Sequence, residues 1–121
     1  MPGHVKKYLP DREYYFEEGC FILETANSEE DEAVSIAQAR VQVGETTRWH
    51  CLRDTVERYV IIKGKGRVEI GQEAPCEVTP GDVVLIPPLT RQRITNHGDT
   101  DLVFLAVCSP RFSRNNYVAL E

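Results

Sequence analysis

A chain of 121 residues, 41% hydrophobic and 27% charged, has the size and balance of one globular domain, which excludes the disordered and fibrous classes. Fourteen Lys and Arg against 19 Asp and Glu leave a net charge of −5, the wrong sign for gripping a phosphate backbone, so nucleic acid is not an expected partner. No apolar run approaches the ~18 residues of a membrane span, and the start Met1-Pro2-Gly3-His4-Val5-Lys6-Lys7-Tyr8 lacks the apolar stretch of a signal peptide, so the expected setting is cytoplasmic and away from membranes.

Turn-forming residues punctuate short apolar runs along the whole chain, the rhythm of a sandwich or barrel of strands. The expected fold class is all-β, a single domain over residues 1–121 with its core barrel over about 18–109. Residues 20–25 read as a strand, and the acidic run 27–32 after them as a solvated turn. Residues 34–43 alternate with a period of two, a half-buried strand that Gly44 ends. Strands are predicted over 46–52 and 57–63, the second closed by Gly64-Lys65-Gly66 into a hairpin with 67–70. After a turn at 71–75, Pro80-Gly81-Asp82 opens the apolar run 83–86, Pro87-Pro88 stops it, and 91–95 resumes in strand. Residues 96–99 have turn chemistry, 102–107 form the last strand, and 109–121 read as a short helix or an arm over the barrel. Cys20, Cys51, Cys76 and Cys108 are too dispersed for a metal or redox pair and read as reduced, mostly buried thiols, with Cys108 in the core.

From Gly44 onward the spacing becomes specific. Gly44, His50, Leu52, Glu57 and Gly64 follow the pattern G-x5-H-x-L-x4-E-x6-G, which resembles the first motif of the cupin family, with leucine where that motif has its second histidine. Gly81, Pro87, Leu89, Gln92 and Asn96 resemble the second motif, with Leu89 in place of a glycine and Gln92 in place of a histidine. The resemblance implies a double-stranded β-helix, the jelly-roll barrel of the cupins, with a ligand held at its open end. The family's usual metal site takes both histidines and the glutamate of the first motif and the histidine of the second. Carried over, it implies a divalent ion (Fe, Mn, Zn or Ni) on His50, Glu57 and Gln92, with one donor lost at Leu52.

Strand parity leads to the same residues. Side chains alternate across a strand, so His50 and Leu52 share one face while Trp49 and Cys51 share the other, and Glu57, Tyr59 and Ile61 share a face of the next strand. With Gln92, Ile94 and Asn96 on one face as well, the barrel lining becomes apolar apart from a few convergent polar groups. Glu57 beside His50 makes an oriented imidazole fit for general-base work, with Tyr59 a candidate acid, so His50, Glu57 and Tyr59 are the candidate catalytic residues. Arg48 has the parity of His50 and is expected at the mouth on an anionic substrate group, with Gln92 also binding substrate. Trp49 is expected between the sheets or at a subunit contact.

The reading is a small cupin that binds a divalent metal and a small polar or anionic ligand, as an enzyme of dioxygenase, isomerase or lyase type. The alternatives are a metal-free acid–base pair of His50 and Glu57, as in epimerases and cyclases, or a non-catalytic binding or accessory dimer. Val60 and Ile62 point outward, apolar side chains that a monomer would expose, so a homodimer is expected, with Arg58 and Arg67 at the rim.

Overall fold

The computed structural model describes residues 2–121 and consists mainly of strands. They are β1 (Tyr14–Phe16), β2 (Cys20–Ala26), β3 (Ser35–Val41), β4 (His50–Leu52), β5 (Val56–Lys63), β6 (Gly66–Ile70), β7 (Cys76–Val78), β8 (Val83–Ile86), β9 (Gln92–Asn96), β10 (Leu102–Ser109) and β11 (Tyr117–Ala119). One antiparallel sheet runs β1-β2-β3-β10-β5-β8 and the other β11-β4-β9-β6-β7, so strands close in sequence often lie in different sheets, as in a jelly roll.

Alternation decides which side chains fill the space between the sheets. Along β5 the buried residues are Glu57, Tyr59 and Ile61, and along β9 they are Gln92, Ile94 and Asn96, as a period of two requires. Ile61, Ile86, Ile94 and Leu102 are each at most 1% exposed. Burying an aliphatic side chain of this size contributes about 1.5–3 kcal/mol, and this layer holds the barrel together.

Two backbone positions mark the motif turns. Gly64 has φ +90°, and a Cβ there would sit 2.8 Å from the Asp101 carbonyl oxygen, so the hairpin end needs a residue without a side chain. Leu89, standing where the family pattern has glycine, keeps the left-handed turn at φ +61°, and its N–H donates to the Leu52 carbonyl at 2.8 Å.

Three sequence expectations change. The strand predicted over 46–52 shortens to His50–Leu52, because the Arg48 N–H leaves the ladder to donate to the Glu18 carbonyl at 2.7 Å. The tail forms a 3-10 turn at Arg114–Asn116, where Ser113 caps the Asn115 N–H, and then pairs as β11 with β4. The acidic run does more than face solvent: Glu30 takes His4 at 2.8 Å and Lys6 at 3.3 Å, while Glu32 takes Arg111 at 3.3 Å. Those pairs fasten the segments on either side of the barrel to one loop.

The outer face of β5 and β8 is apolar as parity requires. Ile62, Val83 and Leu85 are half exposed or more, and Val60 is partly covered. Among the described residues no helix is long and apolar enough to cross a membrane.

Candidate functional site

The site begins with a turn. β1 and β2 form a hairpin whose tip, Glu17-Glu18-Gly19, folds back so that the Gly19 N–H donates to the Phe16 carbonyl at 2.9 Å, with Gly19 at φ +99°. Arg48 clamps that tip twice: its N–H donates to the Glu18 carbonyl, and its guanidinium donates to the Glu17 carbonyl. The clamp brings the Glu18 carboxylate to 3.6 Å from Nε2 of His50.

His50 is 2% exposed, and Tyr117 of β11 stacks on its ring with centroids 5.2 Å apart. Its Nδ1 donates to the Arg48 carbonyl at 2.8 Å, which assigns the proton to Nδ1 and leaves the Nε2 lone pair toward Glu18. Burial pushes the imidazole below its ordinary pKa, and the Arg48 carbonyl and the nearby Glu57 only partly offset this. The ring is held neutral.

Two carboxyls shift the other way. Burial, with Glu17 beside it, pushes Glu18 up to about 7. Burial, reinforced by Glu18, pushes Glu57 up to about 7 as well, while the neighbouring His50 pulls it down in part. Glu57 Oε2 accepts a weak bond from Cys108 Sγ at 3.8 Å. Glu57 Oε1 and Gln92 Nε2 are the buried side-chain polar atoms without a partner among the described residues. Each such atom costs ~1–3 kcal/mol, so something outside the protein fold is expected to meet them.

Glu18, Glu24 and Glu57 all line a cavity of about 50 Å³ whose walls include the aromatic rings of Tyr14, Phe16 and Phe112. The parity argument therefore brings His50, Glu57 and Gln92 into one buried cluster, but only Glu57 of these reaches the cavity wall. His50 stands behind Glu18. Tyr59 donates its hydroxyl to Gln92 Oε1 deep in the core, where burial raises its pKa well above the ordinary value; it fixes the Gln92 amide and does not line this cavity. Arg48 is exposed and away from the cavity, contrary to the expected mouth position, because its guanidinium is committed to the hairpin tip. Trp49 lies between the guanidinium groups of Arg91 and Arg93, at 4.2 and 4.3 Å from their carbons. Cys108 is buried as expected, but against Glu57.

Glu18 is the residue that sequence reasoning missed. Its hairpin strand β1 spans three residues, too short for a period to register, and Glu17-Glu18-Gly19 reads as turn punctuation.

The implied metal fits this donor set poorly. Gln92 offers a metal its amide oxygen, but that oxygen accepts from Tyr59, and the free atom is the Nε2 donor. Leu52 supplies nothing, and among the described residues no three His, Cys, Asp or Glu side chains converge as a metal-binding group.

Comparison with known proteins agrees with the barrel. The sequence model of the cupin domain matches residues 37–108. Over 117 residues the chain is 32% identical to an uncharacterized protein of Methanocaldococcus jannaschii, covering 95% of this chain and 93% of that one. Glucose-6-phosphate isomerase of Pyrococcus horikoshii is 36% identical over 63 residues, 49% of this chain and 33% of the isomerase. Among solved structures, the nucleoside dehydratase Pac13 superposes with a TM-score of 0.77 at 16% identity, covering 95% of this chain and 90% of its own. A variant of the Streptomyces Pac13 is known with uridine. KdgF from Halomonas sp. superposes with a TM-score of 0.79 at 17% identity over 93% of this chain and 97% of its own. At such identities these structures speak for the fold alone.

Proposed function

The chain belongs to the cupin family, and we propose that it is a small-molecule enzyme of that family working by general acid–base chemistry on a ligand held between Glu18 and Glu57. The observation that carries the reading is geometric: two carboxyls, Glu57 buried and Glu18 partly buried, line one cavity; Glu57 has an oxygen with no partner, and Glu18 faces the free nitrogen of a tautomer-fixed imidazole. Both carboxyls are raised to about 7, so near neutrality each exchanges its proton readily.

In this reading Glu57 takes a proton from the substrate and Glu18 returns one. His50 Nε2, with Nδ1 tied to the Arg48 carbonyl, accepts the proton of Glu18 and gives it back. Tyr59 and Gln92 act as positioning residues for Glu57, and Arg48 for Glu18. The reaction class is proton transfer at carbon, as in isomerisation, epimerisation or elimination. The partial sequence likeness to a protein named glucose-6-phosphate isomerase supports a reaction of the same kind. No step runs through a metal.

The test is solvent exchange. A panel of small carbonyl compounds, neutral, anionic and amino-substituted, is incubated with the protein in D2O and followed by mass spectrometry. At least one compound is expected to gain deuterium, and Glu57→Gln and Glu18→Gln are each expected to slow the gain by about 10²-fold or more. Exchange that survives Glu57→Gln, or disappears on treatment with a chelator, overturns the reading. A second copy of the chain is the proposed occupant of the apolar outer face of β5 and β8, and light scattering that returns a monomer mass at micromolar concentration rejects the homodimer.

A further inference from the structure

The charge of the cavity wall says more than the acid–base reading requires. Its polar members are the carboxyls of Glu18, Glu24 and Glu57 with Asn27, Ser35 and the Tyr14 hydroxyl, and among the described residues it contains no Lys, Arg or His. Two arginines touch residues of the wall, and both are engaged in other pairs. Arg111 donates to Asn27 Oδ1 at 3.1 Å and to Glu32 at 3.3 Å, and Arg114 lies over the Phe16 ring, 4.0 Å from Glu17. An anionic group entering here would meet three acidic side chains, and the two arginines that touch the wall are already engaged with Glu32 and Glu17, a like-charge juxtaposition in a partly desolvated space.

Glu57 supplies the second, independent observation. The residue is 8% exposed, lines the cavity, and keeps Oε1 without a partner. An acceptor of that kind calls for a donor, and Glu24 at the same wall is exposed, a second acidic group for a positively charged visitor to pass. The rings of Tyr14, Phe16 and Phe112 suit the same visitor, because an aromatic face attracts a cation as well as an apolar body.

We infer that the ligand of this barrel carries a primary ammonium group on a small apolar body, with the ammonium donating to Glu57 Oε1 and drawn in by Glu24. The inference rests on the proposed ligand position between Glu18 and Glu57 and names the substrate class for it. It reverses the expectation of an anionic ligand, and it separates this chain from a phosphosugar enzyme despite the partial likeness to glucose-6-phosphate isomerase.

Binding is tested by calorimetry and by the methyl resonances of Ala37 and Ala106, which line the cavity, using n-butylammonium, n-butanol, butyrate and inorganic phosphate. The expected result is n-butylammonium at least tenfold tighter than n-butanol, with butyrate and phosphate silent at the same concentrations. Glu57→Gln is expected to weaken the ammonium about tenfold, and Glu24→Gln, an exposed change that spares the fold, about threefold. Butyrate or phosphate binding as well as the ammonium overturns the inference. So does an unchanged ammonium affinity in both variants, or a magnesium or manganese ion alone producing the same methyl shifts at lower concentration. The two readings fail separately: deuterium gain by a neutral or anionic carbonyl compound without ammonium binding removes only the ligand class, whereas ammonium binding without Glu57-dependent exchange removes only the chemistry.

Discussion

Gln92 and Asn96 sit on the same face of β9, both 0% exposed, and they are opposites. Asn96 uses everything it has: Nδ2 donates to the carbonyls of Val41 and Thr100 at 2.9 Å each, and Oδ1 accepts from the Gly98 N–H at 3.0 Å. Gln92 accepts from Tyr59 through its oxygen and leaves Nε2 idle, next to a glutamate with an idle oxygen of its own. One end of the strand is a closed structural knot. The other is an open polar cluster beside a cavity, where the fold tolerates a cost of ~1–3 kcal/mol per unpaired group that a ligand or water removes. Two buried amides of similar chemistry thus differ by whether their partners come from the chain itself.

That contrast has a largest consequence in Asn96→Ala. Two carbonyls and an N–H lose their partners together, so unfolding free energy is expected to fall by about 3 kcal/mol or more, read as a Tm drop of about 10 °C or more by calorimetry. Glu57→Gln comes next, and its effect depends on pH. Glu57 is raised from 4.5 to about 7, so the native state holds a proton that the unfolded state has lost between those values. Its stabilising contribution is therefore complete below about 4.5 and is lost as pH rises through about 7, and Glu18 behaves the same way. His50 opposes them, since its lowered pKa costs stability as pH falls below 6.5. Denaturant titrations of the variant and the parent are expected to diverge in favour of Glu57→Gln by on the order of 2 kcal/mol between pH 5 and pH 8. A difference independent of pH breaks the comparison. The smallest effect is expected for Gln92→Met, about 1 kcal/mol or less, because losing the Tyr59 acceptor is offset by removing an unpaired donor. If it equals Asn96→Ala, the two ends of β9 are not different in kind.

Much of the fold is legible in the sequence alone. Strand parity located the residues of β5 and β9 on their correct faces, the apolar runs located β3 and β10 as strands, and Gly64 and Asn96 announced turns through chemistry that acts within a few residues. The short strands β1, β7 and β11 were not legible, since three residues carry no period and owe their extension to a neighbour in the sheet.

The site divides along the same line. That His50, Glu57, Tyr59 and Gln92 turn inward follows from alternation along single strands, a local property that sequence determines by itself. The tertiary structure alone decided which of them meets the cavity, that Arg48 grips a hairpin tip, that Glu18 arrives beside His50, and that the described residues of the wall are acidic without a basic one among them. Those facts depend on register between strands distant in sequence and on which atoms are consumed by neighbours. Spacing along one chain does not encode either, because each hydrogen bond taken by Tyr59 or Arg48 is settled only when the two sheets close.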